Sequence, residues 1–136
     1  MRTPTPAWLY AGILSLMVLT TWPLLSQAAC TINITSGDDT STCDSGTAPG
    51  FTDNAGNNTL DIRDSGRSTG NVTFGAGNDL VDVNGATAGI DGALNQGDGS
   101  NIFRLNLGTV GSVTQGSGTD VIQISGGKAG AISQGG

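Results

Sequence analysis

The chain has 136 residues and a formal net charge of −6, with eleven acidic residues against five Lys and Arg. All eleven acids are Asp, and His and Glu are absent. So acidic a chain lacks the cations that neutralise phosphates in nucleic-acid binding or that dock on anionic membrane surfaces, and it offers no conventional general base and no Ser–His pair, so it is read as a non-enzyme.

Residues 1–28 are predicted to be a signal peptide. Arg2 provides the positive start, residues 7–25 are almost continuously apolar, and Pro23 breaks that run. Ser26-Gln27-Ala28 supplies small residues at the positions a signal peptidase inspects, so cleavage is expected after Ala28. The alternative is a retained anchor, because the run lies near the lower limit for spanning a bilayer. Beyond this segment no membrane association is expected. Losing Arg2 takes the net charge to about −7, and the leader also carries off Trp8, Tyr10 and Trp22. Phe51, Phe74 and Phe103 are then the remaining aromatics, too few for a conventional globular core.

Residues 29–53 are predicted to be an N-terminal cap. Cys30 and Cys43 are the two cysteines of the chain, and an isolated pair in an exported protein reads as a disulfide. Residues 31–35, where Ile32 and Ile34 alternate with polar neighbours, are expected to form the first strand. An Asp-rich loop over residues 37–43 follows it.

Residues 54–136 repeat one pattern, a glycine turn, a small amide or acid, then an alternating apolar strand. Its copies begin at Asn54, Gly75, Gly97 and Gly116, separated by 21, 22 and 19 residues, and a fifth begins at Gly135-Gly136. Self-similarity at a near-constant period of about 20 signals a solenoid. Stacking the copies places Leu60, Val81, Phe103 and Ile122 in one inward column and Ile62, Val83, Leu105 and Ile124 in a second. The residue between them is Asp61, Asp82, Arg104 or Gln123, always polar, as in a half-buried strand. A second strand is predicted around Val72, Leu94, Val113 and Ile132, with Gly70, Gly92, Gly111 and Gly130 at a corner; a third is left open. The fold class is therefore all-β, a right-handed parallel β-helix of about four coils of 19–22 residues, preceded by the signal peptide. Gln96, Gln115 and Gln134 should form an amide ladder up the stack. The chain stops within a repeat, which suggests a truncated piece of a longer protein.

The glycine turns invite a calcium reading. Residues 75–82 and 116–123 match most of the calcium-binding nonapeptide, and Asp79 and Asp120 would be the carboxylates of such a site. Phe74 and Gln115 stand where the leading Gly belongs, and the spacing is about 20 rather than nine. The column Asn58, Asp79, Asn101, Asp120 also alternates amide and acid. Adjacent carboxylates about 4.8 Å apart would repel by a few kcal/mol at an effective dielectric near 20. Alternation lets each carboxylate accept from an amide neighbour without a metal. The preferred reading has no catalytic residue, no metal and no cofactor, and makes the turns structural.

The turn-strand pattern, together with V-G-S-V-T-Q-G-S-G-T-D (residues 110–120) and the run of residues 124–135, resembles the passenger regions of bacterial autotransporters, the type V secretion family. That resemblance implies an exported β-helix stalk or adhesin at the outer membrane and cell surface, contacting a host or other surface ligand, and a C-terminal translocator barrel that this sequence lacks. Released alone, such a piece would reside in the periplasm. The insert over residues 85–92, in the longest repeat, is the expected binding loop. The alternatives are a calcium-binding solenoid and a polysaccharide-lyase-like β-helix enzyme using the outward column of Asp82, Arg104 and Gln123.

Overall fold

The computed structural model describes residues 30–136; the predicted leader lies outside them. The described residues form no helix. Coil one consists of β1 (Thr40–Cys43), β2 (Thr47–Ala48) and β3 (Phe51–Asp53), and coil two of β4 (Thr59–Arg63), β5 (Arg67–Ser68) and β6 (Val72–Phe74). Coils three, four and five have two strands each: β7 (Leu80–Asn84) and β8 (Gly89–Gln96), β9 (Ile102–Leu105) and β10 (Thr109–Gln115), β11 (Val121–Ile124) and β12 (Lys128–Gln134). The first strands stack as one five-stranded parallel sheet in the order β1-β4-β7-β9-β11. Both β5 and β6 pair with β8, so the second and third strands of the early coils merge into one from coil three onward. The described residues form a parallel β-solenoid of five coils.

Like residues stack on like, as the repeat requires. Leu60 pairs with Val81, Val81 with Phe103 and Phe103 with Ile122, while Ile62, Val83, Leu105 and Ile124 form the parallel column. Val72, Leu94, Val113 and Ile132 line the opposite wall. Through the middle coils these side chains are fully buried and make one continuous core along the axis. A solenoid buries a thin core of this kind without needing many aromatics. Phe51 and Phe74, with ring centroids 5.8 Å apart and planes at 76°, make the edge-to-face contact favoured by ring quadrupoles.

The stack contains one coil more than the four expected. Residues 40–43, expected within an Asp-rich loop, form β1, which pairs with β4 in register. Ser41 and Cys43 take the inward places there, and a Thr-Ser-Thr-Cys strand carries little apolar alternation to announce it. The strand expected over residues 31–35 does not form. Thr31 makes a single antiparallel bridge to Thr42 and Ile34 is exposed, because Asn33 and Thr35 are held by side chains of Ser41 and Asp39 rather than by a ladder.

The glycine corner is set by crowding. Gly70, Gly92, Gly111 and Gly130 do not appear among the glycines with positive φ. A Cβ on Gly130 would lie 1.9 Å from the Gly111 carbonyl oxygen, and one on Gly111 2.5 Å from that of Gly92. The corner backbones of successive coils touch.

Cys30 and Cys43 are joined by a disulfide, and Cys43 is part of the buried core. The bridge ties the segment ahead of β1 onto the first coil. Replacing both cysteines with Ala is expected to lower unfolding stability by about 3 kcal/mol, the chain-entropy value for a short loop. A denaturant titration, with reduced wild type as a second comparison, checks this.

Candidate functional site

The glycine turns hold the most concentrated polar chemistry of the chain. The column read as Asn58, Asp79, Asn101 and Asp120 begins one coil earlier, at Asp39. Each side chain accepts a backbone N–H from the equivalent residue of the preceding coil. Asn58 Oδ1 accepts from Asp39 N (3.1 Å), Asp79 Oδ1 from Asn58 N (2.8 Å), Asn101 Oδ1 from Asp79 N (3.0 Å) and Asp120 Oδ1 from Asn101 N (2.9 Å). The alternation of acid and amide is thus kept, but the donor is the backbone amide of the coil before, not the neighbouring side chain. Strand spacing brings that N–H within reach, and it would otherwise be buried without a partner. Beside this column a second ladder runs the opposite way: Asp38 Oδ1 accepts from Asn57 N, Asn57 Oδ1 from Asn78 N and Asn78 Oδ1 from Ser100 N.

The glutamine ladder forms as read. Gln115 Nε2 donates to Gln96 Oε1 (3.1 Å), and Gln134 Nε2 to Gln115 Oε1 (3.0 Å). Gln96 Nε2 donates to the Asp79 and Ile102 carbonyl oxygens, both at 3.2 Å, which ends the ladder on backbone carbonyls at the starts of coils three and four. One coil earlier the column holds Phe74, which cannot continue it.

Asp79 is almost entirely buried. Burial pushes its carboxyl above the usual Asp range; the Asn58 N–H pulls the other way, and the negative charge of Asp53 adds to the rise. Asp53 is likewise raised, by burial first and by Asp39 in addition, against the Ala55 N–H. Among the described residues no three Asp or Cys side chains converge as a metal-ligand set. Asp79 and Asp120 stand two coils apart, about 10 Å along the axis at one strand spacing per coil, so each turn supplies one carboxylate.

The outward column does not assemble as a shared acid–base group. Arg104 Nε donates to Gln123 Oε1 (3.0 Å), Asn106 Nδ2 donates to Asp82 Oδ1 (3.1 Å), and Arg63 pairs with Asp61. Water screens an exposed pair such as the last.

The insert over residues 85–92 is not a projecting loop. Ala88 and Ile90 are buried, and Gly89 begins β8. The extra length is absorbed in two places. Six positions separate Val83 from Gly89 while four separate their partners Leu105 and Thr109, which widens the first corner. A β-bulge then sets Asp91 and Gly92 against Gly111. This bulge opens a groove of about 320 Å³, floored by Ile90, Val110, Gly111 and Gly130 and flanked by Asp91, Thr109 and Lys128. Arg67 contacts two of the flanking residues. It pairs with Asp91 and donates to the Thr87 carbonyl (2.9 Å) and Thr109 Oγ1 (3.4 Å). Arg67, Gly89, Thr109 and Lys128 form one register column. The sequence pointed to residues 85–92, which supply Ile90 and Asp91, but not to Thr109 or Lys128, because the column appears only once the corner offset is known.

Compared with family models, curated proteins and solved structures, the chain matches none. Among the described residues no helix is long and apolar enough to cross a membrane.

Proposed function

We propose that the chain is part of an exported β-solenoid stalk of the autotransporter-passenger kind, whose coils supply length and whose bulge groove meets a surface ligand. The observation carrying this reading is the ladder from Asp39 to Asp120, which links all five coils through side-chain and backbone hydrogen bonds. Such ladders make a stiff, regular rod. The disulfide agrees with an oxidising compartment, and the leader-like residues 1–28 agree with export. Two of the four cations outside that leader, Arg67 and Lys128, flank the groove of an otherwise acidic rod. A ligand bearing carboxylate groups suits them.

Two measurements test the proposal. Residues 1–53 fused to alkaline phosphatase should give enzyme active outside the cytoplasm, with a new N-terminus at Ala29; cytoplasmic, inactive reporter overturns export. Beads coated with residues 29–136 should adhere to glycan-bearing cells, and Lys128→Glu should reduce adhesion severalfold with an unchanged circular dichroism spectrum. Equal adhesion by the variant places the contact elsewhere.

A further inference from the structure

One atom of the turn column stands apart from the pattern of its neighbours. In Asn101, Oδ1 accepts from the preceding coil while Nδ2 donates to its own turn, to the Gln96 and Gly97 carbonyl oxygens at 2.7 and 3.0 Å. Asn58 repeats this, its Nδ2 donating to the Ala55 carbonyl at 3.0 Å. Asp79 uses Oδ1 in the same way, but its Oδ2, the branch equivalent to Nδ2, is buried and has no partner. Asp120 Oδ2 shares that condition. Asp39, at the start of the column, does not, because its Oδ2 accepts from the Thr35 N–H and hydroxyl.

Leaving an ionised carboxylate oxygen shut away from water with no donor carries a large desolvation cost. Nothing nearby offsets that cost. The charged group that acts on Asp79 from the preceding coil is Asp53, itself an acid. From the following coil, Asn101 is neutral and Asp98 turns its carboxylate outward to the Ser117 N–H. Arg63, Arg67 and Arg104 engage Asp61, Asp91 and Gln123 on the outer faces, and Lys128 lies at the groove.

We propose that Asp79 folds as the neutral acid, its Oδ2–H taking the donor role that Nδ2 takes in Asn58 and Asn101, so that acidity stabilises the solenoid. The inference rests on the repeat geometry and is independent of the stalk reading. Its pH dependence has a definite sign. The folded chain holds this proton more tightly than the unfolded one, so the stabilisation is fully present below the unfolded Asp value, about 3.9. Above it, the unfolded chain releases a proton that the folded chain keeps, and stability falls until the folded value is passed. Within that window each pH unit changes the folding constant up to about tenfold. Asp98, lowered by the Ser117 N–H, works in the opposite sense, so the effect is read as the difference between wild type and variant.

The test is Asp79→Asn, which supplies the donor without needing a proton. The variant should have a higher denaturant midpoint than wild type at pH 7, and the gap should close towards pH 4. Infrared spectra of the folded wild type should show a protonated-carboxyl band that persists above the pH at which surface Asp ionises and is weaker in the variant by the contribution of Asp79. A variant no more stable at pH 7 overturns the proposal. So does a wild-type band that titrates with the surface acids, a readout that stands even if the variant fails to fold. Stabilisation of wild type, but not of Asp79→Asn, by millimolar calcium would also overturn it, making Oδ2 a cation ligand.

Discussion

Gly99→Ala is expected to cost about 2–6 kcal/mol, enough to unfold much of a chain whose total stability lies in the usual range of about 5–15 kcal/mol. Two effects combine. Gly99 has φ +136°, a conformation that side-chain-bearing residues rarely adopt, at a cost of about 1–3 kcal/mol. Its added Cβ would also sit 1.8 Å from the Gly77 carbonyl oxygen, one coil below, and forced overpacking adds about 1–3 kcal/mol. Stacking removes the usual escape. Lifting coil four away from coil three would stretch the ladder between β7 and β9, which is paired from Leu80–Ile102 to Val83–Leu105. Gly118 repeats both features over Gly99, so the column is periodic and not an accident of one turn. Ser100→Ala, on the exposed neighbour, should stay within about 0.5 kcal/mol. Urea titrations of the three proteins by circular dichroism decide the matter, and a Gly99→Ala loss under 1 kcal/mol would show that the coils can part cheaply.

What the sequence made legible depends on where the repeat speaks clearly. The inward columns of β4, β7, β9 and β11 could be aligned from the residues alone, because period-two alternation and a fixed glycine turn pin the register twice over. Coil one was hidden for want of the same signal: Ser41 and Cys43 occupy places that elsewhere hold Leu, Ile, Val or Phe. Residues 31–35 misled in the opposite way. Ile32 and Ile34 alternate like a strand, yet Ile34 faces water and Thr31 alone finds a backbone partner. Spacing also reveals that the third repeat is long without saying where the extra residues go. They went into a corner and a bulge, and the groove with Arg67, Asp91 and Lys128 follows from that division. The Asn and Asp column was visible as a column, and its alternation correctly suggested mutual support. Its donor was not visible, since only the rise between coils shows that the Asn58 backbone N–H meets Asp79 Oδ1.

Phe103→Ala should cost about 3–5 kcal/mol, the range for truncating a buried aromatic. Phe103 heads the fully buried side chains by volume, with Val81 before it and Ile122 after it in the same column. The void should close poorly. Val81 and Ile122 are held at one strand spacing by their own ladders, so the core cannot shorten along the axis to fill it. The damage should also be directional, because each coil of a solenoid touches only its neighbours. Coils one to three keep the contacts among Cys43, Leu60, Ile62, Val81 and Val83. Coil five already exposes Ile124 and Ile132, each at 45%, and depends on coil four for what burial it has. Hydrogen exchange in Phe103→Ala should therefore accelerate first across β9 to β12, leaving β4 and β7 protected. In urea the transition should broaden as the two halves separate. Uniform loss of protection along all five coils would instead mean that the rod melts as one cooperative body, with the polar ladders transmitting the defect end to end.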